Sequence, residues 1–487
     1  MATEKRNLLT GNFSKKNATL FAIAVLVTLI IWNLPIDSFG IDGLTVIQQR
    51  IIAVFALATI LWVTEAISPW ATSVSLIGLL LLTTSDNAFH FFRSGIDKSE
   101  LLDHSALMAT FADPIIILFL GGFILAIAAT KSGLDVLLAR TLLKPFGQKS
   151  ENVLLGFILI TGVFSMFVSN TATAAMMLTF LAPVFKALPP EGKGRVALTL
   201  SVPVAANIGG MGTPIGTPPN TIALKYLNDP EGLNLGIGFG EWMMFMFPLV
   251  IVLLLLSWFI IKKLYPFTQK TIEMKIEGEI QHNLKTKVVI VTFIFTVALW
   301  LLDSVTGINS YTVALVPFVI FSLTGVIDRR DLEEINWSVI WMVAGGFALG
   351  YALNGSGLAK QAVSSIPFGD FSPMVILVLA CMICYALSNF ISNSATAALL
   401  MPILTVVCLA MGDKLDVIGG TSTVLISVAV AASSAMVLPI STPPNALAFA
   451  TNLISQKDMA RIGLIIGIMS MVLGVSLLYL LGTMHVI

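Results

Sequence analysis

Apolar runs of about 20 residues recur along the whole chain, and a run of that length is enough for a helix to cross ~30 Å of hydrocarbon. Hydrophobic residues make up 56% of the sequence and charged ones only 11%, against roughly a quarter charged in a soluble domain, so a soluble enzyme is excluded. The chain reads as an all-α polytopic membrane protein. Approximate spans fall at 18–35, 49–66, 68–84, 114–132, 196–226, 242–262, 286–303, 311–327, 336–354, 421–453 and 462–484, which makes 11 crossings. Two further apolar stretches, 152–185 and 372–410, have a soft break in the middle and fit either one long span or a re-entrant pair of half-helices.

Charge placement separates these readings, because cytoplasmic loops carry the excess of Lys and Arg. With the N-terminus cytoplasmic and both ambiguous stretches returning to the side they entered, 21 of the 27 Lys and Arg residues lie inside. Full crossings would scatter the clusters around Lys186 and Lys262, so both stretches are read as hairpins and the C-terminus falls outside. The run from Thr19 to Leu34 lacks a small-residue cleavage pattern and reads as a retained first span, preceded by a cytoplasmic segment 1–17. The polar segment 262–287, with six lysines, reads equally as an amphipathic surface helix or a solvated linker.

Lys+Arg and Asp+Glu are both 27, so net charge offers no argument for nucleic acid as a partner. Cys381, Cys384 and Cys408 lie in apolar stretches, where they pack as small hydrophobes and build neither a disulfide framework nor a metal site. His90, His104, His282 and His485 share no metal-ligand spacing and read as solvated.

The second half echoes the first. Gly121-Gly122-Phe123 returns as Gly345-Gly346-Phe347, Ser169-Asn170-Thr171 returns as Ser392-Asn393-Ser394, and Thr217-Pro218-Pro219-Asn220 returns as Thr442-Pro443-Pro444-Asn445, at offsets of 224, 223 and 225. Five crossings separate equivalent points, and an odd number inverts the second copy. Inverted repeats with broken helices meeting at the bilayer midplane are the architecture of secondary transporters.

The segment 196–226 would be about 46 Å long as one helix, more than a bilayer needs. Pro214, Pro218 and Pro219, with Gly209, Gly210, Gly212 and Gly216, predict an unwound stretch from Ile208 to Asn220, and Pro439, Pro443 and Pro444 interrupt 421–453 in the same way. Ser169-Asn170-Thr171 and Ser392-Asn393-Ser394 fall at the hairpin breaks, where their side chains can cap helix ends. Unwound backbone at membrane depth must be buried in protein or line a cavity. Converging amides at helix starts suit an anion, whereas Asn oxygens and freed carbonyls suit a hard cation such as sodium. No Asp, Glu, Lys, Arg or His occurs in 152–185, 196–224, 372–412 or 421–456. A proton-coupled carrier keeps an ionisable relay in the membrane, and an enzyme needs a base, nucleophile or metal-ligand set; this pattern favours sodium coupling and no enzymatic activity.

The paired Ser-Asn-Thr-type tips and Thr-Pro-Pro-Asn breaks, in this order, resemble the divalent anion/sodium symporter family, particularly its bacterial dicarboxylate transporters. The resemblance runs from about residue 18 to the end. It implies a homodimer working as an elevator, with scaffold spans 18–132 and 286–354, transport parts 133–261 and 372–487, and a cytoplasmic linker 262–285. It implies that Ser169, Asn170, Thr171, Ser392, Asn393 and Ser394 contact substrate carboxylates, helped by Thr217, Pro218, Thr442 and Pro443. One sodium would lie near Ser165, Asn170 and Gly216, the other near Ser388, Asn393 and Ser441. Ser165 and Ser388 each precede their motif Asn by five residues, in keeping with that symmetry. The second tip has Ser394 where the family usually has Thr, which keeps the hydroxyl and removes a methyl worth ~1 kcal/mol in selectivity. The expected activity is sodium-coupled import of C4-dicarboxylates such as succinate, fumarate or malate, with no organic cofactor. The alternatives are a sodium-coupled citrate or sulfate carrier, or a sodium-independent dicarboxylate exchanger.

Overall fold

The computed structural model describes residues 15–186, 188–189, 192–229, 232–272, 283–359, 361 and 371–486. Among them are helices, turns and two isolated bridges, Ser85 with Leu102 and Lys149 with Thr271, but no strand. Nine helical segments among the described residues are long and apolar enough to cross a membrane, so the chain is an all-α multi-pass membrane protein.

Helices follow the apolar runs. Lys15–Asn33, Val46–Thr64, Pro69–Thr84, Pro114–Ser132, Phe239–Leu264, Leu284–Leu301, Trp337–Gly355 and Gln456–Thr483 each coincide with an expected span. Local chemistry sets several ends. Thr45 Oγ1 accepts from Gln48 N while Gln48 Oε1 accepts from Thr45 N, and Ser455 with Asp458 repeats this reciprocal cap at the last long helix. The run expected at 311–327 is instead two short helices, Ser310–Val313 and Leu315–Leu323, meeting at Ala314. A Cβ on Gly121 would stand 2.5 Å from Ala314 O, so only glycine lets Pro114–Ser132 approach this joint. Its counterpart Gly345 is as tight, 2.5 Å from Ser73 Cβ, which identifies the repeated Gly-Gly as a packing device.

The chain forms two compact units. One comprises Met1–Asp113, Trp337–Ser372 and Ala398–Gly412; the other comprises Pro114–Asn336, Pro373–Ala397 and Asp413–Ile487. In the first, Ala24, Leu61 and Ala66 form a buried cluster flanked by Leu20 and Phe21. Arg50 donates to Thr83 O and Phe92 O, with its guanidinium over the rings of Trp32 and Phe92. His104, expected to be solvated, is half-buried and paired, its Nδ1 2.8 Å from Asp86 Oδ1. The cause is local: Leu102 N donates to Thr84 O and Asp86 N to Leu102 O, which folds His104 back onto Asp86.

The second unit holds both hairpin breaks and both broken helices. Ser150–Phe167 and Asn170–Lys186 are separated by Val168 and Ser169, and Pro373–Phe390 and Asn393–Met411 by Ile391 and Ser392. The broken helices are Lys193–Gly210 with Pro218–Leu227, and Gly420–Ser433 with Pro443–Ala450. Pro218–Leu227 packs on Gly420–Ser433, and Pro443–Ala450 packs on both Lys193–Gly210 and Asn170–Lys186. Lys131 Nζ pairs with Asp328 at 3.0 Å and Asp331 at 2.5 Å, and its ammonium holds the Asp328 carboxyl below the usual carboxylate range. The start of the 262–287 segment belongs to Phe239–Leu264, and Ile272 N donates to Gln148 O, tying 269–272 to the first hairpin. Its centre, 273–282, lies outside the described residues, as does 1–14 of the N-terminal segment.

Candidate functional site

The unwound segments are 211–217 and 434–442, narrower at the first break than the expected 208–220. Two local effects account for this. Met211 N and Gly212 N still close turns onto Ile208 O and Gly209 O. At the far side, Pro218 and Pro219 take the first helical positions, where a missing N–H leaves no bond unmade. The Asn that ends each motif then secures its break. Asn220 Nδ2 donates to Gly210 O at 3.0 Å and Thr213 O at 2.8 Å, and Asn445 Nδ2 donates to Met436 O at 2.8 Å and Leu438 O at 3.0 Å. Carbonyls freed inside a membrane need such donors.

Three expected sodium ligands come together at the first break. One end of the Asn170 amide lies 2.6 Å from Ser165 Oγ, 3.0 Å from Gly216 O and 3.3 Å from Ala206 O, and Ser165 Oγ also donates to Ala206 O at 2.8 Å. With nitrogen at that end, the amide donates to both carbonyls. With oxygen there, four oxygens face one another with the Ser165 hydroxyl as the one donor among them, an arrangement that suits a cation. The crowding is tight: a Cβ on Gly216 would be 2.4 Å from Gly210 O, and one on Gly210 would be 2.6 Å from the Asn170 amide.

The second break is built differently. Ser388 Oγ and Asn393 Oδ1 are buried with no hydrogen-bond partner among the described residues. An orphaned buried polar atom costs roughly 1–3 kcal/mol, so both atoms are open to a further partner. Ser441 Oγ donates to Asn389 O at 2.9 Å and accepts from Leu438 N at 3.0 Å, while Asn389 Oδ1 accepts from Val437 N at 2.9 Å. The hairpin arm is thereby tied to the break.

The hairpin tips and the broken-helix starts offer opposite chemistry. Ser169 Oγ accepts from Ala172 N and Ser392 Oγ from Ala395 N, so both act as helix caps while retaining a proton to donate. The first amides of these two helices, at Asn170, Thr171, Asn393 and Ser394, have no intrahelical acceptor. Thr171 is exposed, and Ser169, Asn170, Ser392, Asn393 and Ser394 are half-buried. Pro218, Pro219, Pro443 and Pro444 carry no N–H, so the broken helices contribute carbonyls and the hydroxyls of Thr217 and Thr442. Thr217 and Thr442 are buried, Pro218 is half-buried and Pro443 is exposed. No hydrogen bond among the described residues joins 169–171 to 392–394.

Sequence reasoning did not single out Ala206, Asn207, Thr213 or Asn389. Thr213 Oγ1 donates to Met166 O and accepts from Gly216 N, closing the first cage from behind. Asn207 Nδ2 donates to Thr442 Oγ1 at 3.2 Å and Asn445 Oδ1 at 3.3 Å. Ala206 has a like residue, Ala431, in the other copy, whereas Asn207, Thr213 and Asn389 face Ala432, Leu438 and Met166 there, so the repeat does not expose these three.

Comparison with known proteins bears on this geometry. A family model described as citrate transporter matches residues 59–419. The sodium-dependent dicarboxylate transporter SdcS of Staphylococcus saprophyticus is 32% identical over 469 residues, spanning 88% of this chain and 86% of that protein. SdcS of Staphylococcus aureus strain USA300 is 30% identical over 458 residues, spanning 86% and 83%. Among solved structures, the YdaH transporter of Alcanivorax borkumensis aligns at a TM-score of 0.56 and 13% identity, over 85% of this chain and 98% of that one. MtrF of Neisseria gonorrhoeae, from a class of antimetabolite efflux pumps, aligns at 0.52 and 14% identity, over 85% and 95%. These two likenesses speak to the fold alone. With most of its length matched in sequence, the chain belongs to the citrate transporter family, as a transporter of the divalent anion/sodium symporter type.

Proposed function

We propose that this protein carries C4-dicarboxylates such as succinate, fumarate or malate into the cell together with sodium. The observation that carries the reading is the oxygen cluster of Ser165, Asn170, Ala206 and Gly216, set in segments without an ionisable side chain. A dianion entering a neutral cavity needs a countercharge. Sodium held at Ser165, Asn170 and Gly216, and again at Ser388, Asn393 and Ser441, supplies it. The substrate carboxylates take the free amides and hydroxyls of Ser169, Asn170, Thr171, Ser392, Asn393 and Ser394, with Thr217, Pro218, Thr442 and Pro443 alongside. The name of the staphylococcal relatives supports both halves of the reading.

In this reading the Asn170 amide rotates as sodium arrives, exchanging donation to Gly216 O and Ala206 O for an oxygen turned onto the ion. Cation first, anion second follows from the electrostatics, since the anion meets the positive charge that the ion brings. The protein works as a homodimer and an elevator, with the N-terminus cytoplasmic and the C-terminus outside. Its scaffold spans are 18–132 and 286–354 and its transport parts 133–261 and 372–487, a division that follows the repeat and not the two compact units.

Uptake of labelled succinate into proteoliposomes, under an inward sodium gradient and under equal potassium and proton gradients, tests this. Sodium-dependent uptake is expected. Uptake only against preloaded dicarboxylate would establish an exchanger instead. Citrate is the second reading, favoured by the citrate transporter description of the matching family model, and labelled citrate in the same vesicles separates the two.

A further inference from the structure

Asn207 lies in the first half of the first broken helix, 2% exposed, and its side-chain amide reaches Thr442 Oγ1 and Asn445 Oδ1 in the second. The carbonyl just before it, Ala206 O, belongs to the first oxygen cluster and accepts from Ser165 Oγ. On the other side, Asn445 Nδ2 holds Met436 O and Leu438 O, Leu438 N donates to Ser441 Oγ, and Ser441 Oγ donates to Asn389 O. Through the Ala206–Asn207 peptide and the Leu438 backbone, these hydrogen bonds connect Ser165 at the first break to Ser441 at the second, and along this path the Asn207 side chain crosses from one copy to the other.

The mirror bridge is missing. At the offset of 225 that pairs Asn220 with Asn445, Asn207 pairs with Ala432, which has no amide to donate. Asn220 and Asn445 use their Nδ2 groups alike, but Asn445 Oδ1 accepts from Asn207 whereas Asn220 Oδ1 is buried with no partner among the described residues. The orphan atom sits where the symmetric bond would end.

We propose that Asn207 is a positioning residue that couples sodium binding at the first cluster to the geometry of the second break. The inference rests on the sodium-coupled reading above. An ion drawn into the first cluster pulls on Ala206 O, and Ala206 shares a peptide unit with Asn207. Any displacement is passed to Thr442 and Asn445, and through Asn445 to the carbonyls that frame Ser441. Coupling of this kind is reciprocal, so occupancy of the second site tightens the first by the same factor.

The test is a sodium activation curve for substrate uptake in proteoliposomes, with wild type, Asn207→Ala and the double variant Asn207→Ala/Ala432→Asn. For Asn207→Ala we expect the half-saturating sodium concentration to rise about fivefold or more and the Hill coefficient to fall toward one. Apparent substrate affinity at saturating sodium should stay within about twofold, which a general loosening of the site would not allow. Moving the amide to position 432 supplies a donor for Asn220 Oδ1 and should restore the cooperativity. An unchanged sodium curve in Asn207→Ala overturns the proposal. Should Asn207→Ala fail to fold, Asn207→Ser, whose hydroxyl is one bond too short to reach Thr442 Oγ1 or Asn445 Oδ1, takes its place and an unchanged curve counts the same way. Wild-type uptake that ignores sodium would overturn the functional reading itself, before any variant is compared.

Discussion

Thr213 and Ser441 occupy different positions in the two breaks, yet their hydroxyls make the same pair of bonds. Thr213 Oγ1 donates to Met166 O and accepts from Gly216 N, three residues on; Ser441 Oγ donates to Asn389 O and accepts from Leu438 N, three residues back. Met166 and Asn389 are equivalent at the hairpin offset of 223, and 213 pairs with Leu438 as 216 pairs with Ser441 at 225. The hydroxyl has changed ends of the break while its work is conserved. Thr213→Val and Ser441→Ala should each cost about 1–3 kcal/mol of stability by leaving a buried amide and carbonyl unpaired, read as a lower melting temperature in detergent. Thr213→Ser should melt close to wild type, and an equally large drop there would mean that the methyl, and not the hydrogen bond, holds the break.

Ser165 and Ser388 are equivalent serines with unequal surroundings. Ser165 Oγ is bonded to Ala206 O and to the Asn170 amide, whereas Ser388 Oγ has no hydrogen-bond partner among the described residues. Ser165→Ala should therefore destabilise the sodium-free protein by roughly 1–2 kcal/mol, and Ser388→Ala should leave it unchanged or slightly more stable. Both should raise the sodium requirement for uptake. Thermal melts with and without sodium separate the two effects, and a Ser388→Ala variant with wild-type sodium activation would remove Ser388 from the ion site.

Much of this was legible in the sequence. The spans, the two hairpin breaks and the Thr-Pro-Pro-Asn interruptions are strong signals, because a membrane leaves few ways to satisfy a backbone and prolines announce where it fails. The unwound segments followed from the same source, whereas the grouping of Ser165, Asn170 and Gly216 was implied by the family resemblance. What escaped has a common cause. Asn207, Thr213 and Asn389 act in one copy only, so comparing the halves hides them, and each depends on contacts between segments far apart in sequence. His104 escaped because its partner Asp86 is met through a turn that periodicity does not reveal.

Glycine packing gives a sharper test of the helix arrangement. A Cβ on Gly209 would sit 2.2 Å from Gly162 O, backbone against backbone, where nothing flexible can yield. Gly209→Ala should cost more than the ~1–3 kcal/mol usual for overpacking and abolish a monodisperse peak in size-exclusion chromatography. Gly78, with open space around its Cβ position, is the control, and Gly78→Ala should express and melt like wild type or better.

The pH dependence of uptake follows from what the site lacks. Serine, threonine, asparagine and backbone oxygens do not titrate between about pH 5 and pH 9. Transport of a fully ionised dicarboxylate, expressed per concentration of its dianion, should be flat across that range under a sodium gradient. A bell-shaped profile would require an ionisable group at the site and would count against coupling through neutral oxygen clusters.

Ser394 offers the clearest handle on substrate choice. It stands at a hairpin tip, half-buried, with a hydroxyl, and differs from Thr171 at the other tip by one methyl. Ser394→Thr keeps every donor and fills a methyl-sized space, so binding should survive while larger anions are disfavoured by about fivefold, the ~1 kcal/mol a methyl is worth. Competition of succinate uptake by unlabelled citrate, compared between wild type and Ser394→Thr, reads this directly. A citrate inhibition constant that rises while succinate KM holds would make Ser394 a determinant of size; parallel changes in both would assign it to general binding.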